Sequence, residues 1–395
     1  MLLHSFASPR ARSSAAVAAL ALCLAAPVMA QTTANSADPA AAAPVAAGGQ
    51  DAGAAGKPTG FFGSFELGGL LDGYYDYYST KPDGDASFRN FDVRHNKPRL
   101  SMGEVWLKKT PTDDSRAGMA LQLIGGHSAT MINSLEPGTT DPKYVEQAYG
   151  SVLLPVGKGL QVDAGKFVTQ HGAEVIEAKD NWNYSRSLLF ALAIPYYHTG
   201  VRATYNVNDK FGVMGNVTEG WNAVSNHNGF RTIGAQATIK PNGMVTLVEN
   251  YMTGPEQLND TVDRRHLFDS IATITATKMV SVMANYDFGK DSVAGAPVSW
   301  YGLAGYLKIQ ATSRVAIVPR VEFFKDPDGF MTGTKQTLKE GTITGEVSLA
   351  KGLLTRLEYR RDVSDASTFA TGGGGTASSQ GSFGIGVLYS LTSKH

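Results

Sequence analysis

The stretch VSVMANYDF, residues 280–288, decides the fold because its apolar and polar side chains alternate. One face is apolar throughout: Val280, Val282, Ala284, Tyr286 and Phe288. The opposite face is more polar: Ser281, Met283, Asn285 and Asp287. A period of two is the period of a β-strand whose two faces meet different environments. The stretch therefore predicts a strand at the boundary between an apolar and a polar medium.

The same alternation recurs along the chain from Phe61 onward: Phe65–Tyr77, Ala117–Leu123, Tyr197–Val207, Ile233–Ile239, Tyr301–Ile309, Arg314–Lys325 and Phe383–Leu391. No helical period separates these stretches, which disfavours a parallel α/β sheet. Alternation persists over about nine to eleven residues, the reach of a tilted transmembrane strand. Aromatic residues such as Tyr78, Trp221 and Trp300 lie near strand ends, where barrels meet the membrane surface.

Short turns between these stretches alternate with longer polar segments, a rhythm typical of outer-membrane barrels. The sequence therefore predicts an all-β fold, a transmembrane antiparallel up-and-down β-barrel with long external loops. We expect about 16 strands, within a range of roughly 14–18. At Gly103 the alternation changes phase, which predicts a β-bulge there.

Composition excludes several classes of protein. The chain has 395 residues, of which 35 are basic and 35 acidic, so nothing in its charge suggests a nucleic-acid partner. The single cysteine, Cys23, excludes a disulfide framework and a cysteine-based metal site. The mean hydropathy of -0.14 excludes a bundle of transmembrane helices, but it permits a barrel, in which only every second residue faces lipid.

The N-terminal residues have the pattern of a secretory signal peptide. Arg10 and Arg12 precede the apolar run Ala15–Ala26, and Val28-Met29-Ala30 supplies a small-residue cleavage site. We expect a signal peptide at 1–30, a low-complexity Ala/Pro/Gly linker at 31–60 and the barrel at 61–395. Export through this signal predicts a location in the cell outer membrane.

One stretch carries a family resemblance: GKFVTQHGAEVIEAKDNWNYSRSLLFALAIPYYHTGVR, residues 165–202. It contains Gly172-Ala173-Glu174, an Asn-x-x-Tyr-Ser-Arg-Ser run ending at Ser187, and Pro195 before the next strand. In these motifs the chain resembles the OmpL-like β-barrel porin family, of the beta-barrel porin-2 type. Further similar stretches lie at 69–78, 320–338 and 356–364. The resemblance implies an outer-membrane pore with no catalytic residues and no cofactor.

Inward parity on the predicted strands selects a set of charged side chains: Glu66, Asp72, Asp76, Arg202, Lys308, Arg314, Arg320, Glu322, Arg356, Glu358 and Arg360. Arginines that face carboxylates across a pore create a transverse field, which sorts solutes by charge. Clustered arginines predict a mild anion preference. The alternative is that these charges pair with one another and only wet the lumen.

The long segment Gln170–Ile194 also carries Arg186 and an apolar run that is too short to span a membrane. It could fold into the mouth of the barrel and narrow it, with Arg186 at the constriction. The alternative is an ordinary packed external loop.

Other functions have weaker support in the sequence. No histidine lies in an H-x-H or H-E-x-x-H spacing, so we expect no metal site. A hydrolase could be imagined from Ser185 or Ser187 with His171 or His198, but spacing alone is a weak signal. A non-conducting surface barrel, acting as an adhesin or scaffold, is the other alternative.

A passive outer-membrane channel is the main hypothesis. The expected partners are outer-membrane lipid, small polar solutes and the barrel-assembly machinery, with no nucleic acid, and the oligomeric state stays open. Such barrels commonly end on an aromatic residue that the assembly machinery reads, whereas this chain continues past Tyr389 and Leu391 to His395.

Overall fold

The computed structural model describes residues 65–134, 143–226, 228–257 and 260–393. In these ranges sixteen strands close into an antiparallel barrel in which each strand pairs with its neighbours along the chain. This confirms the predicted up-and-down barrel and its strand number. The signal peptide predicted for 1–30 and the linker predicted for 31–60 lie outside the described residues.

The barrel strands are β1 (Glu66–Tyr78), β2 (Arg99–Lys109), β3 (Ala117–Gly125), β4 (Val145–Leu154), β5 (Leu160–Val168), β6 (Tyr197–Asn208), β7 (Phe211–Thr218), β8 (Thr232–Ile239), β9 (Val245–Gly254), β10 (Arg265–Thr275), β11 (Val280–Val293), β12 (Ala296–Gln310), β13 (Val315–Asp326), β14 (Gln336–Ala350), β15 (Leu353–Ser364) and β18 (Ser379–Thr392). A separate two-stranded sheet joins β16 (Phe369–Ala370) to β17 (Thr376–Ala377).

Helical structure is limited to short pieces inside loops. They are α1 (His127–Ile132), α2 (Leu188–Leu192) and a 3-10 turn at Ala178–Asp180. Among the described residues, no helix has the length and apolar character needed to cross a membrane.

The barrel closes where the first strand meets the last. Asp72 on β1 lies opposite Leu388 on β18 and, on its other side, opposite Met102 on β2. Closure pairs the backbone groups of both terminal strands, so no sheet edge is left facing lipid.

The two faces of the wall differ in the way the alternation predicts. On the outer face Val282, Ile317 and Val387 are 42%, 41% and 46% exposed. On the inner face Ser281 and Asn285 are each 2% exposed. The exposed apolar side chains form the surface that contacts the hydrocarbon of the membrane.

Short and long connections lie at opposite ends of the barrel. The short ones are 110–116, 155–159, 209–210, 240–244, 276–279, 311–314 and 351–352. One connection at the long-loop end is itself short: the rhythm of turns predicts a loop over the polar stretch 289–297, but these residues belong mostly to β11 and β12. Ala294 and Gly295 alone make the turn, with φ of 52° and 79°, as in a tight hairpin whose central residues both have positive φ.

Two β-bulges change which side chains point inward. The pairing of β1 with β2 shifts so that Ser101 is an extra residue, and Ser101 and Met102 are both buried. This bulge lies two residues before the predicted position, Gly103. A second shift, between β3 and β4, leaves Glu146 unpaired, and Glu146 and Gln147 are both buried inside the barrel.

The assignment of the lipid-facing surface predicts that the cost of a charged substitution depends on its depth in the bilayer. Val321, in the middle of β13, is 65% exposed, and Ile317 lies near the start of the same strand. Arginine near the bilayer midplane of a barrel costs roughly 2–4 kcal/mol, and near the interface about 0–1 kcal/mol. We expect Val321→Arg to lower the free energy of unfolding by the larger amount, Ile317→Arg by the smaller, and the control Val321→Leu by little. Urea unfolding in phospholipid vesicles measures all three, and equal costs for the two arginines would contradict the assignment.

Candidate functional site in the barrel lumen

The connection between β5 and β6, residues 169–196, folds into the barrel, and we call it the cross-lumen segment. Every residue in it is buried except Lys179 and Asp180. In the ring of sixteen strands, β5 and β13 are eight positions apart, so they lie on opposite walls. Leu188 in this segment nevertheless contacts Glu322 on β13. The segment therefore crosses the full width of the lumen.

The segment holds its own shape through local hydrogen bonds. Gly172 has φ of 88°, and a Cβ there would lie 2.4 Å from Ile194 Cδ1, so the turn into the lumen requires glycine. Asn181 closes a loop by accepting from the Val175 amide at 2.6 Å and donating to the Val175 carbonyl at 2.6 Å. Ser187 begins helix α2, since its Oγ accepts from the Phe190 amide at 3.0 Å.

Arg186 also stabilises the shape of the segment through hydrogen bonds within it. Its Nε donates to the Val175 carbonyl at 3.0 Å, Nη1 donates to the Tyr184 carbonyl at 2.5 Å, and Nη2 donates to the Ile176 carbonyl. The side chain is 5% exposed. The guanidinium of Arg186 was predicted to lie at a constriction. Instead it joins two parts of the cross-lumen segment by donating to carbonyls at 175–176 and at Tyr184.

The β10–β11 wall receives the beginning of the segment. The Gly172 amide donates to Asp269 Oδ2 at 3.0 Å, and the Ala173 amide donates to Asn285 Oδ1 at 3.1 Å. Asn285 Nδ2 in turn donates to Asp269 Oδ1 at 2.6 Å. These bonds satisfy backbone donors that the irregular chain cannot pair with itself.

The wall on the far side from β5, at β13 and β15, binds the end of the segment with carboxylates. Glu358 on β15 accepts from the amides of Tyr184 at 2.8 Å and Ser185 at 3.0 Å. Glu322 on β13 accepts from the Leu188 amide at 2.8 Å, at the first turn of α2. Hydrogen bonds from backbone amides to ionised carboxylates are among the stronger ones in proteins.

Three arginines reinforce the same wall by donating to backbone carbonyls of the segment. Arg320 Nη1 donates to Ser185 at 2.7 Å. Arg356 Nη1 donates to Asn183 at 3.0 Å, and Arg360 Nη1 donates to Arg186 at 2.5 Å. The three side chains are 1%, 1% and 0% exposed. They are buried contacts between wall and segment.

Each of these arginines is also paired with carboxylates. Arg320 lies 2.7 Å from Glu174 in the segment and 3.1 Å from Glu340 on β14. Arg356 lies 2.7 Å from Glu346, and Arg360 lies 2.6 Å from Asp362. Such pairing offsets the cost of burying the charge, and it reduces the field that reaches the lumen.

The remaining predicted residues lie in several places. On β1, Asp72 accepts from the Tyr184 hydroxyl at 2.7 Å, Glu66 accepts from Trp106 Nε1 at 3.2 Å, and Asp76 is buried. Arg202 pairs with Asp163 at 2.8 Å on the near wall, and Lys308 lies 3.9 Å from Glu346. These residues line the interior but do not form one cluster.

Arg314 is an exception to the predicted inward parity. It lies in the exposed turn before β13, where its amide and that of Val315 donate to Thr312 Oγ1 at 3.2 and 3.1 Å. The strand starts only at Val315, so the alternation cannot be extended back to Arg314.

The serine and histidine pairs considered for a hydrolase make other contacts. Ser185 Oγ accepts from Arg320 Nη2 at 3.1 Å, and Ser187 Oγ caps α2. His198 Nε2 instead contacts Thr169 Oγ1 at 2.8 Å, and that hydroxyl lies 3.2 Å from His171 Nδ1. Among the residues described, neither serine hydrogen-bonds to either histidine.

Glu174, Asn183 and Tyr184 are wall contacts that the alternation in the sequence does not predict. All three lie in the stretch that carried the family resemblance, which was the available signal. Asn183 Nδ2, for example, donates to Thr344 Oγ1 at 2.7 Å and to the Val318 carbonyl at 3.1 Å. Period-two reasoning applies only to strands and could not assign them a partner.

The barrel is similar to solved outer-membrane proteins. An anion-selective porin from Comamonas acidovorans has a TM-score of 0.58 at 12% identity, over 83% of this chain and 99% of that one. The outer membrane channel DcaP of Acinetobacter baumannii has 0.53 at 11%, over 83% and 97%. OmpF of Salmonella typhi, in complex with daunomycin, has 0.54 at 12%, over 83% and 97%. At these identities the likeness shows the fold alone.

No curated protein matches this sequence. A family model described as "Putative beta-barrel porin-2, OmpL-like" matches residues 64–391. That range covers every strand of the barrel and the cross-lumen segment, and it confirms the resemblance in residues 165–202. Family and fold together place the protein in the outer membrane. The chain belongs to the putative beta-barrel porin-2, OmpL-like family.

Proposed function

We propose that this porin is a passive channel for small polar solutes and that the cross-lumen segment sets its width. One observation carries the proposal: beyond its origin at β5, the segment is bound to the wall at two separate places, to Asp269 and Asn285 on β10–β11 and to Glu322 and Glu358 on β13 and β15. A loop held at several points along its length inside a barrel narrows the path in a reproducible way, because it cannot move freely across the lumen.

The charged side chains of the walls support a role in positioning the segment through hydrogen bonds. They give less support to a strong electric field in the lumen. Each of Arg320, Arg356 and Arg360 is paired with a carboxylate, so little of its charge is uncompensated. We propose that these arginines position the segment. No catalytic role or cofactor is part of the proposal, and the barrel-assembly machinery remains an expected partner.

If the arginines position the segment, substitutions at Arg320 and at Arg314, six residues apart, should differ in their effect on stability. Arg320→Ser leaves Glu174 buried without its partner and Glu340 with only Arg360, at 3.9 Å. Breaking a buried pair costs roughly 3–5 kcal/mol. Arg314→Ser, in the exposed turn, should change stability by no more than about 0.5 kcal/mol. Unfolding by urea in vesicles compares them. Equal stability of the two variants would mean that the buried pairing does not hold the structure.

The channel itself is tested in planar lipid bilayers with the purified full-length protein. The wild type should show stepwise conductance, whereas a non-conducting adhesin or scaffold would show none. Glu358→Gln removes a charged acceptor of two backbone amides, each bond worth about 1.5–3 kcal/mol. A loss of 1.4 kcal/mol raises the undocked population about tenfold, so we expect larger current fluctuations.

Asp163→Asn is the matched control for this variant. Asp163 is equally a buried wall carboxylate, but it pairs with Arg202 and accepts from Ser151 at 2.7 Å, and no contact with the segment is seen among the described residues. Fluctuations equal to those of Glu358→Gln would contradict a role of Glu358 in holding the segment.

The anion preference stays a prediction. If the arginines contribute to the field, replacing Arg320 and Arg356 together by Ser lowers the anion-to-cation permeability ratio, most strongly at low salt, where the Debye length exceeds about 10 Å. The reversal potential under a salt gradient measures the ratio. An unchanged potential in a variant that still conducts would leave the arginines as positioning residues alone.

A further inference from the structure

Three buried glutamates meet where the cross-lumen segment contacts the β2–β4 side of the barrel. They are Glu104 on β2, Glu146 on β4 and Glu177 in the segment, and they are 5%, 1% and 3% exposed. One carboxylate oxygen from each lies within 4.8 Å of the others. Nothing in the porin function proposed above uses this group, which we call the glutamate cluster.

The backbone is built to bring these carboxylates together. Glu146 is the extra residue of the bulge between β3 and β4, so its side chain points inward next to that of Gln147. Without the bulge, strict alternation would send one of the two toward lipid. Bulges are often found where a functional side chain is turned toward a site.

A fixed amide orients two of the three carboxylates. Gln122 Nε2 donates to Glu146 Oε2 at 2.6 Å and to Glu177 Oε1 at 2.6 Å. The orientation of this amide is set by Gln147, whose Nε2 donates to Gln122 Oε1 at 2.8 Å. Gln122 therefore leaves the second oxygen of Glu146 available to another partner.

Neither Glu104 nor Glu146 forms a salt bridge with a basic side chain among the described residues, although Lys108 and Lys179 attract Glu104 from a greater distance. Glu104 Oε2 and Glu146 Oε1 are buried and have no hydrogen-bond partner in the part of the chain that the structure describes. Lys108 and Lys179 lie over the Trp106 ring, at 5.8 and 5.6 Å from its centre. By contrast, Glu174, Glu322 and Glu340 all lie within 4.0 Å of Arg320. A buried carboxylate without a counter-charge is costly, so a positive ligand is expected here.

We propose that the glutamate cluster binds a hard divalent cation, with Ca²⁺ as the best fit, and so ties the cross-lumen segment to β2 and β4. Carboxylate oxygens are the preferred ligands of Ca²⁺, at about 2.3–2.6 Å. Ligand oxygens around such an ion are at most about 4.6–5.2 Å apart, and the three oxygens of the cluster lie within 4.8 Å of one another, so one ion can contact all three. Mg²⁺ demands near-ideal octahedral geometry at about 2.0–2.1 Å and usually keeps several waters, so a cage of three protein carboxylates suits it less well.

The bound cation would hold the middle of the segment. Glu177 lies beside the 3-10 turn Ala178–Asp180, between the β10–β11 contacts at Gly172 and the β13–β15 contacts at Ser185. A metal at Glu177 would give the segment a third fixed point. Shared protons on the three carboxylates are the competing explanation, and they would leave no metal affinity.

Tb³⁺, which replaces Ca²⁺ in oxygen sites, gives a direct test in the folded full-length protein after treatment with a chelator. Trp106 lies two residues from Glu104 on the same inward face of β2, so it should sensitise Tb³⁺ emission. We expect one saturable site per chain that millimolar Ca²⁺ displaces. Trp106→Phe should remove most of the sensitised emission while Ca²⁺ binding, measured by calorimetry, remains.

The ligands are tested by isosteric substitution. Glu104→Gln and Glu146→Gln should each weaken binding by at least about tenfold, since even outer-shell changes cost 10–100-fold. Asp163→Asn, which changes a buried carboxylate on β5 that pairs with Arg202, is the control and should bind as the wild type does. Folding of each variant is verified by its heat-dependent gel migration.

Two results would overturn the proposal. The first is that the wild-type protein binds neither Tb³⁺ nor Ca²⁺. This result needs no variant, and it would indicate that the carboxylates share protons instead of a metal. The second is metal binding that is as strong in Glu104→Gln and Glu146→Gln as in the control Asp163→Asn. Neither depends on conductance, so the site and the channel can fail separately.

Discussion

Backbone hydrogen bonding in a medium without water is the constraint on which the structure depends. Inside a membrane each amide and carbonyl group needs a partner from the protein, so a β-sheet must close. Here β1 pairs with β18 from Gly68 to Tyr78. Closure leaves every wall residue either toward lipid or toward the lumen, and this binary choice produces the alternation seen in residues 280–288. The same rule governs the interior, because the irregular backbone of residues 169–196 must find its partners on the wall.

The partners that it finds are charged, and this determines how firmly the segment is placed. Glu322 and Glu358 accept from segment amides, while Arg320 and Arg360 donate to segment carbonyls. A buried ion pair adds little net stability compared with apolar packing, but a displaced one leaves uncompensated charge. Any other position of the segment would break several pairs at once. The network therefore favours a single position of the segment more than it raises the stability of the barrel.

Which features of the fold and the site are predictable from the sequence depends on how far apart along the chain the interacting residues lie. Alternation is local, so it was enough for the strands and for the inward direction of Arg320 and Arg356. Their contacts with Ser185 and Asn183 join residues 135 and 173 positions apart, which no periodicity records. Arg314 was misplaced because parity cannot tell where a strand begins. Glu146 was missed because a bulge breaks the alternation that selected the other charges.

What a passing ion meets is the charge that remains after pairing. The guanidiniums of Arg320, Arg356 and Arg360 bind backbone carbonyls and carboxylates. The paired carboxylates cancel most of the field of these arginines at short range. The glutamate cluster is the contrary case, because its carboxylates face one another. Its residual charge would depend on the occupant, since a divalent cation cancels most of three negative charges. The electrostatics of the lumen would then be set as much by a bound ion as by the arginines that the sequence makes conspicuous.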